Sequence, residues 1–289
     1  MIKTLLVHLR GTSGDKSVLA AALILARPFA AHLECLHIRP QLKRLVSRAA
    51  VTEMGEDLGA ISEVLETLKK QSSASAQRAA DAFATFCDAE NIPRSPSPSV
   101  PGTMNAAFRD TCGDEIDLLI EQSRFHDLLI VDANSRSGQG LPLNELGRLI
   151  TSAGRPILLA PNSPPRPIRN VVIAWKDGPE AARAVTAAMP ILEKAEKIFV
   201  VATAEDDTLE AHCENVVKQL AWHGLTAQAH SVVPGGRDAA HAVLETARAA
   251  DADLLVMGAY GHNRLRETIL GGFTQSVIED ASLLVFMLH

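Results

Sequence analysis

The sequence predicts an α/β protein of two tandem units, each a parallel sheet covered by helices on both faces. Three observations carry that prediction. The opening segment IKTLLVHLRGTSGDKSVLAAALILA (Ile2–Ala26) recurs 166 residues later as IRNVVIAWKDGPEAARAVTAAMPIL (Ile168–Leu192). Each copy reads as a short aliphatic strand, a glycine-containing turn and an alanine-rich helix. DLLIVDAN (Asp127–Asn134) recurs 126 residues later as DLLVMGAY (Asp253–Tyr260), and the same shift lays RPILLA (Arg155–Ala160) on ASLLVF (Ala281–Phe286) without a gap. Finally, strands that are aliphatic throughout alternate with helical patterns, as a parallel sheet buried on both faces requires.

The elements follow in order. In the first unit the opening strand leads through Gly11–Ser17 into a helix whose apolar face is Val18, Ala21, Ala22 and Leu25. Asp15 or Ser17 is the expected cap of that helix. The unit then carries about 40 residues more than the second. Most of them lie in an extra helical segment at about 41–72 and in the Pro/Ser stretch near Ile92–Gly102. Leu42, Leu45, Val46, Ala49, Ile61, Val64, Leu65 and Leu68 fall at helical spacing in that segment, as a cover for the first sheet would. The stiff connector APNSPPRPI (Ala160–Ile168) sets the boundary, giving units 1–162 and 163–289.

The second unit reads as strand Val171–Trp175, helix Glu180–Leu192, strand Lys197–Ala202, helix Thr208–His223 and strand Ala227–Val233. Helix Ala239–Ala250, strand Asp253–Gly258, a loop, helix Phe273–Asp280 and strand Leu283–Leu288 complete it. The final strands of both units, Ile157–Pro161 and Leu283–Leu288, are strongly apolar sheet-edge strands. Left uncovered, they would be aggregation liabilities.

Composition narrows the function. The 289 residues carry a net charge of −6 and 47% hydrophobic residues, which argues against a nucleic-acid binder and against disorder. No apolar run reaches the length of a membrane span, and MIKTLLVHLRG lacks the features of a signal peptide, so a cytoplasmic location is expected. Four scattered cysteines and dispersed histidines lack metal-ligand spacing. No P-loop, GxSxG or HExxH pattern occurs.

The chemistry concentrates in GAYGHNRLRETILGGFTQSVIED. Gly258 and Gly261 follow a strand, where the backbone can approach a ligand closely. Gly271 and Gly272 precede a helix, so the amides of Gly272, Phe273 and Thr274 face outward at its positive end, an arrangement suited to phosphate. The same glycines also serve a strand end and a tight turn into a helix, so the spacing alone leaves both readings open. His262, Arg264 and Arg266 inside the loop are candidate phosphate partners, with solvated surface residues as the other reading.

The spacing Gly258-x2-Gly261-x9-Gly271-Gly272 resembles the nucleotide-binding signature of the universal stress protein family, as do NRLRETILGGFT and AWKDGPEAARAV. The resemblance covers the chain as two tandem Rossmann-like units and is strongest in the second. It implies five-stranded parallel sheets of order 3-2-1-4-5 whose last strands pair or pack around a two-fold, here within one chain as an intrachain pseudo-dimer. It implies ATP or another adenine nucleotide, with its phosphates at Gly258, Gly261, Gly271 and Gly272, Thr274 nearby, and its adenosine near Ala174, Lys176 and Asp177. No metal is expected beyond magnesium carried by the nucleotide. Two residues depart from the family pattern: Gly272 stands where ATP binders usually carry Ser or Thr, and Lys176 where they usually carry Asp.

In the first unit Asp132, Ser135, Glu145 and Leu146 replace the four glycines, and Arg10 parallels Lys176. Carboxylates in a phosphate cradle repel phosphate, so this unit is expected not to bind ATP by the family mode. The resemblance thus implies a non-catalytic stress-response protein, a weak ATPase at most, with an unknown protein partner and a possible homodimer. The rival readings are a module without nucleotide or a binder of another anion, a small molecule or lipid headgroup, held by Arg10 and Lys176.

Overall fold

Residues 1–41, 58–97, 102–133, 140–161, 164–203, 208–232, 238–259 and 272–289 are described by a computed structural model of the chain. In the first half the strands are β1 (Thr4–His8), β2 (His32–Pro40), β3 (Asn105–Gly113), β4 (Leu128–Asp132) and β5 (Ile157–Ala160). The helices between them are α1 (Asp15–Phe29), α2 (Leu58–Glu90), α3 (Glu115–Ser123) and α4 (Leu143–Ser152). The second half repeats the order with β6 (Asn170–Ala174), α5 (Pro179–Leu192), β7 (Lys197–Thr203), α6 (Thr208–Trp222) and β8 (Ala227–Val232). It ends with α7 (Ala239–Ala249), β9 (Leu254–Gly258), α8 (Gly272–Asp280) and β10 (Leu284–Leu288). Every strand and helix expected in the second half is present, with ends shifted by a few residues at most.

All ten strands join one sheet of order β3-β2-β1-β4-β5-β10-β9-β6-β7-β8. Each half therefore has the order 3-2-1-4-5 and is internally parallel. The halves meet where β5 and β10 pair antiparallel, Leu158 opposite Phe286 and Leu159 opposite Val285. Leu159 and Val285 are repeat equivalents at the 126-residue shift, so a pseudo-two-fold axis passes between them. The last strands are consequently the middle of the sheet and not its edges, because each hides its open side against the other. The edges are β3 and β8.

Two cores cover the two faces of this sheet, and each runs through both halves. One gathers Leu5, Val7, Leu33, Cys35, Val171, Ile173 and Phe286 beneath α1, α2, α5 and α6. The other gathers Leu6, Leu36, Leu129, Val172, Leu255 and Met257 beneath α3, α4, α7 and α8. Strands aliphatic on both sides are what such a three-layer arrangement demands.

A matched pair of acids locks the strand starts. Asp127 Oδ2 accepts from the amides of Lys3 and Thr4 at 2.7 and 3.0 Å. Its repeat equivalent Asp253 accepts from Arg169 and Asn170 at 2.9 and 3.0 Å. In both halves the residue before the fourth strand thus ties down the entry of the first.

The long helix α2 packs differently from the expected cover. Its core contacts are Ala79, Phe83 and Cys87, four residues apart on one face, while Val64 is 58% exposed. Leu42, Leu45, Val46 and Ala49 lie outside the described residues, as does the side chain of Ile61. Asp15 does not cap α1 either. Gly14 is the N-cap residue and makes no side-chain cap bond, and the buried Asp15 carboxylate instead accepts from the amides of Arg10 and Gly11 at 2.9 and 2.8 Å.

Candidate functional site

In α/β sheets of this kind ligands gather at the carboxyl ends of the strands, beside the point where strand order reverses. Because β5 and β10 are antiparallel, the two halves present their carboxyl ends on opposite edges of the common sheet. Each half therefore has its own candidate site.

In the second half the central neighbours β6 and β9 run side by side with Ala174 opposite Met257, and Ala174 is buried at the end of β6. Trp175 continues the ladder, its amide donating to Val201 O at 2.8 Å. Its indole packs against the first core. Among the described residues, Nε1 is buried and has no hydrogen-bond partner. Lys176 and Asp177 turn outward and are exposed. Gly178 then leads into α5, with Pro179 occupying a first-turn position that needs no amide donor.

The two described glycines of the loop differ. At Gly258 a Cβ would stand 2.5 Å from the Ala181 amide nitrogen and 2.7 Å from the Glu180 carbonyl carbon. Its missing side chain lets the start of α5 press against the end of β9, which is a packing role. At Gly272 no described residue lies within 4 Å of a Cβ position, and the residue is exposed at the first position of α8. This open, positive helix start is a place where an anionic group fits. Phe273 packs into the second core and Thr274 is only 4% exposed, so both are drawn inward. Gly261, His262, Arg264, Arg266 and Gly271 lie outside the described residues.

The corresponding edge of the first half is built of other chemistry. Arg10 Nε donates to Glu115 Oε1 at 2.9 Å, and buried His8 places Nε2 3.2 Å from the same oxygen. Burial alone would raise the Glu115 carboxyl, but His8 and Arg10 outweigh it and hold the group at about 2. Glu115 thus opposes the positive charge of Arg10. Gly11, at a φ of +71°, faces the Ser75 carbonyl with no room for a side chain, and Arg78 donates to Gly11 O at 2.7 Å. Helix α2 closes the turn after β1 in this way.

The acids that replace the loop glycines also stand inside the fold. Asp132 ends β4 and is 6% exposed. Glu145 and Leu146 belong to the first turn of α4, Leu146 buried and Glu145 paired with Arg148 at 3.0 Å. A carboxylate therefore already occupies the first turn of this helix. The grouping of His8, Arg10 and Glu115 escaped the sequence reading because 105 residues separate Arg10 from Glu115 and no local spacing announces the contact.

Among the described residues no group of His, Cys, Asp and Glu forms a metal cluster, and no helix is long and apolar enough to cross a membrane.

Residues 167–289 match the model of the universal stress protein family. Among solved structures, the chain is similar to a universal stress protein from Archaeoglobus fulgidus DSM 4304 at 15% identity and a TM-score of 0.68, covering 99% of this chain and 95% of that one. It is also similar to a functionally unknown protein from Pseudomonas aeruginosa PAO1 at 16% identity and a TM-score of 0.59, covering 99% of this chain and 92% of that one. At these identities the likeness is one of fold. No curated protein matches the sequence.

Proposed function

We propose, from the match of residues 167–289 to the universal stress protein family model, that the chain is a cytoplasmic, non-catalytic stress-response protein whose second half binds ATP or another adenine nucleotide. The observation that carries this reading is the open helix start at Gly272. It is exposed, has no described residue within 4 Å of a Cβ position, and opens a helix in the half that matches the family model. The phosphates would lie along Gly258–Thr274, with Gly261, Gly271 and the side chains of His262 and Arg264 completing the loop. The adenosine would lie near Ala174, Lys176 and Asp177. When bound, the nucleotide supplies charge and a base to recognise, with any magnesium arriving on its phosphates. The chain's own residues would hold and orient it.

Calorimetric titration of the full chain with ATP, ADP and AMP tests the reading. Saturable binding that Gly261→Asp abolishes is the expected result. No heat at millimolar nucleotide, or binding untouched by that substitution, would sink it.

A second reading, an interaction module without nucleotide, is favoured by the first half, where the Glu145–Arg148 pair and buried Asp132 fill the equivalent positions. It predicts that the protein purifies free of nucleotide, binds none in the titration, and retains a protein partner through affinity purification. The third reading, an anion held by Arg10 and Lys176, is disfavoured at Arg10, where Glu115 already engages the guanidinium.

A further inference from the structure

The ten-stranded sheet ends in two edges of opposite character. At the β3 edge the chain guards itself: Ser95 N donates to Ala106 O at 2.9 Å and Ala106 N donates to Pro93 O at 3.0 Å. Arg109 and Asp110 on that strand pair with Glu34 and Arg39 of β2. At the other end of the sheet, β8 is the terminal strand, with β7 on one side and no described strand on the other. Its four central residues, Gln228, Ala229, His230 and Ser231, are all exposed. The strand AQAHSV contains no Lys, Arg, Asp, Glu or Pro, the residues that usually protect an open edge. Close by, Trp222 at the end of α6 is 90% exposed, and α6 packs along β8. A bare strand and a bare tryptophan therefore lie together at one corner of the molecule.

We propose that two copies of this chain associate through β8, pairing antiparallel about a two-fold axis. Three features point to a second copy as the occupant. An uncharged strand meets itself without like-charge repulsion, whereas the charged β3 edge does not offer that. The fold already uses the same device internally, where β5 and β10 pair antiparallel with the equivalents Leu159 and Val285 facing. Antiparallel pairing also carries the Trp222 of each copy toward the far end of the other copy's strand, giving both indoles a surface to cover. Six residues of strand span about 20 Å, which is a small interface, so the dimer is weak and concentration-dependent.

Sedimentation velocity of the full chain across micromolar to sub-millimolar concentration tests this. The expected mass rises from 30.9 kDa toward twice that value. The Ala229→Lys/Ser231→Lys variant, altered only at exposed positions, is expected to stay monomeric with an unchanged unfolding midpoint. Trp222→Ala is expected to weaken association several-fold and leave the monomer intact. A wild-type chain that remains monomeric throughout overturns the proposal, and so does a dimer that both variants leave unchanged.

Discussion

Gly14 and Asp132 meet so closely that a Cβ on Gly14 would stand 2.1 Å from Asp132 Oδ2. At the repeat shifts of 166 and 126 residues their equivalents are Glu180 and Gly258, and there the contact recurs with the residue types exchanged. The end of the fourth strand touches the start of the first helix in both halves, and in both one partner is glycine. In the first half the helix start yields and the strand end keeps its acid. In the second the strand end yields and the helix start keeps the acid. The loss of the first loop glycine in the first half thus has a structural counterpart that preserves the fold.

That exchange predicts the outcome of restoring side chains. Gly14→Ala should lower stability by about 2 kcal/mol, as overpacking does, measured by urea unfolding. Asp132→Ala in the same chain should recover most of the loss, because the obstructing group is a side chain. Gly258→Ala should cost about 3 kcal/mol, and no single side-chain deletion should recover it, because its obstructing atoms belong to the backbone of Glu180 and Ala181. Equal rescue at both sites would contradict the exchange.

The two strand-entry acids should behave alike. Asp127→Ala and Asp253→Ala each strand two amides at the start of the first strand of their half, and each should cost about 3 kcal/mol in chemical denaturation. Arg166 also reaches Asp253, at 3.0 Å, but its side chain is mostly exposed. Arg166→Ala should therefore fall within the scatter of surface substitutions. A loss at Arg166 equal to that at Asp253 would show the ion pair, and not the amide bonds, to be the stabilising feature.

Acid should loosen the first half through two carboxyls. His126 donates to Glu34 and, with Arg109, holds its carboxyl at about 2 against an ordinary value of 4.5. Glu115, buried but held by His8 and Arg10, stands at about 2 as well. Both folded values lie below the unfolded ones, so the stability these groups contribute is present above about pH 4.5. It is lost as pH falls from there toward 2. Glu34→Gln and Glu115→Gln should each flatten the dependence of unfolding free energy on pH in that window and leave the slope near pH 7 unchanged. An unaltered acid slope in both variants would refute the assignment.

What the sequence disclosed follows from the range of the forces involved. β7 and α6 were legible because their aliphatic runs and helical spacing are local patterns, whereas β1, α1, β4 and β5 were supplied twice by the duplication. The pairing of β5 with β10 was legible only through the family resemblance, since apolar edge strands announce a need for cover without naming it. The packing face of α2 was not legible. Its apolar residues Ala79, Phe83 and Cys87 are few, whereas the richer stretch around Val64 and Leu68 drew attention and is exposed or half-buried. Glycine spacing suggested a candidate site in the second half, whereas contacts such as Arg10 with Glu115 carry no local signal because only the closed sheet brings them together.

Substitutions at Gly272 would separate folding from the proposed nucleotide binding. Among the described residues nothing lies within 4 Å of its Cβ position, so Gly272→Glu meets no obstruction from them, and a carboxylate at the first position of α8 interacts favourably with the helix dipole by about 0.5 kcal/mol. The unfolding midpoint should therefore hold or rise. The same carboxylate would sit where the proposed nucleotide phosphates approach, and its repulsion should weaken ATP binding at least tenfold, which corresponds to about 1.4 kcal/mol. Gly272→Ala, which fills the space with a methyl group and no charge, should preserve most of the affinity. Stability and affinity then move in opposite directions for Glu and stay together for Ala, a pattern that a purely structural glycine does not produce. Unchanged ATP affinity in Gly272→Glu would place the phosphates elsewhere than at the start of this helix.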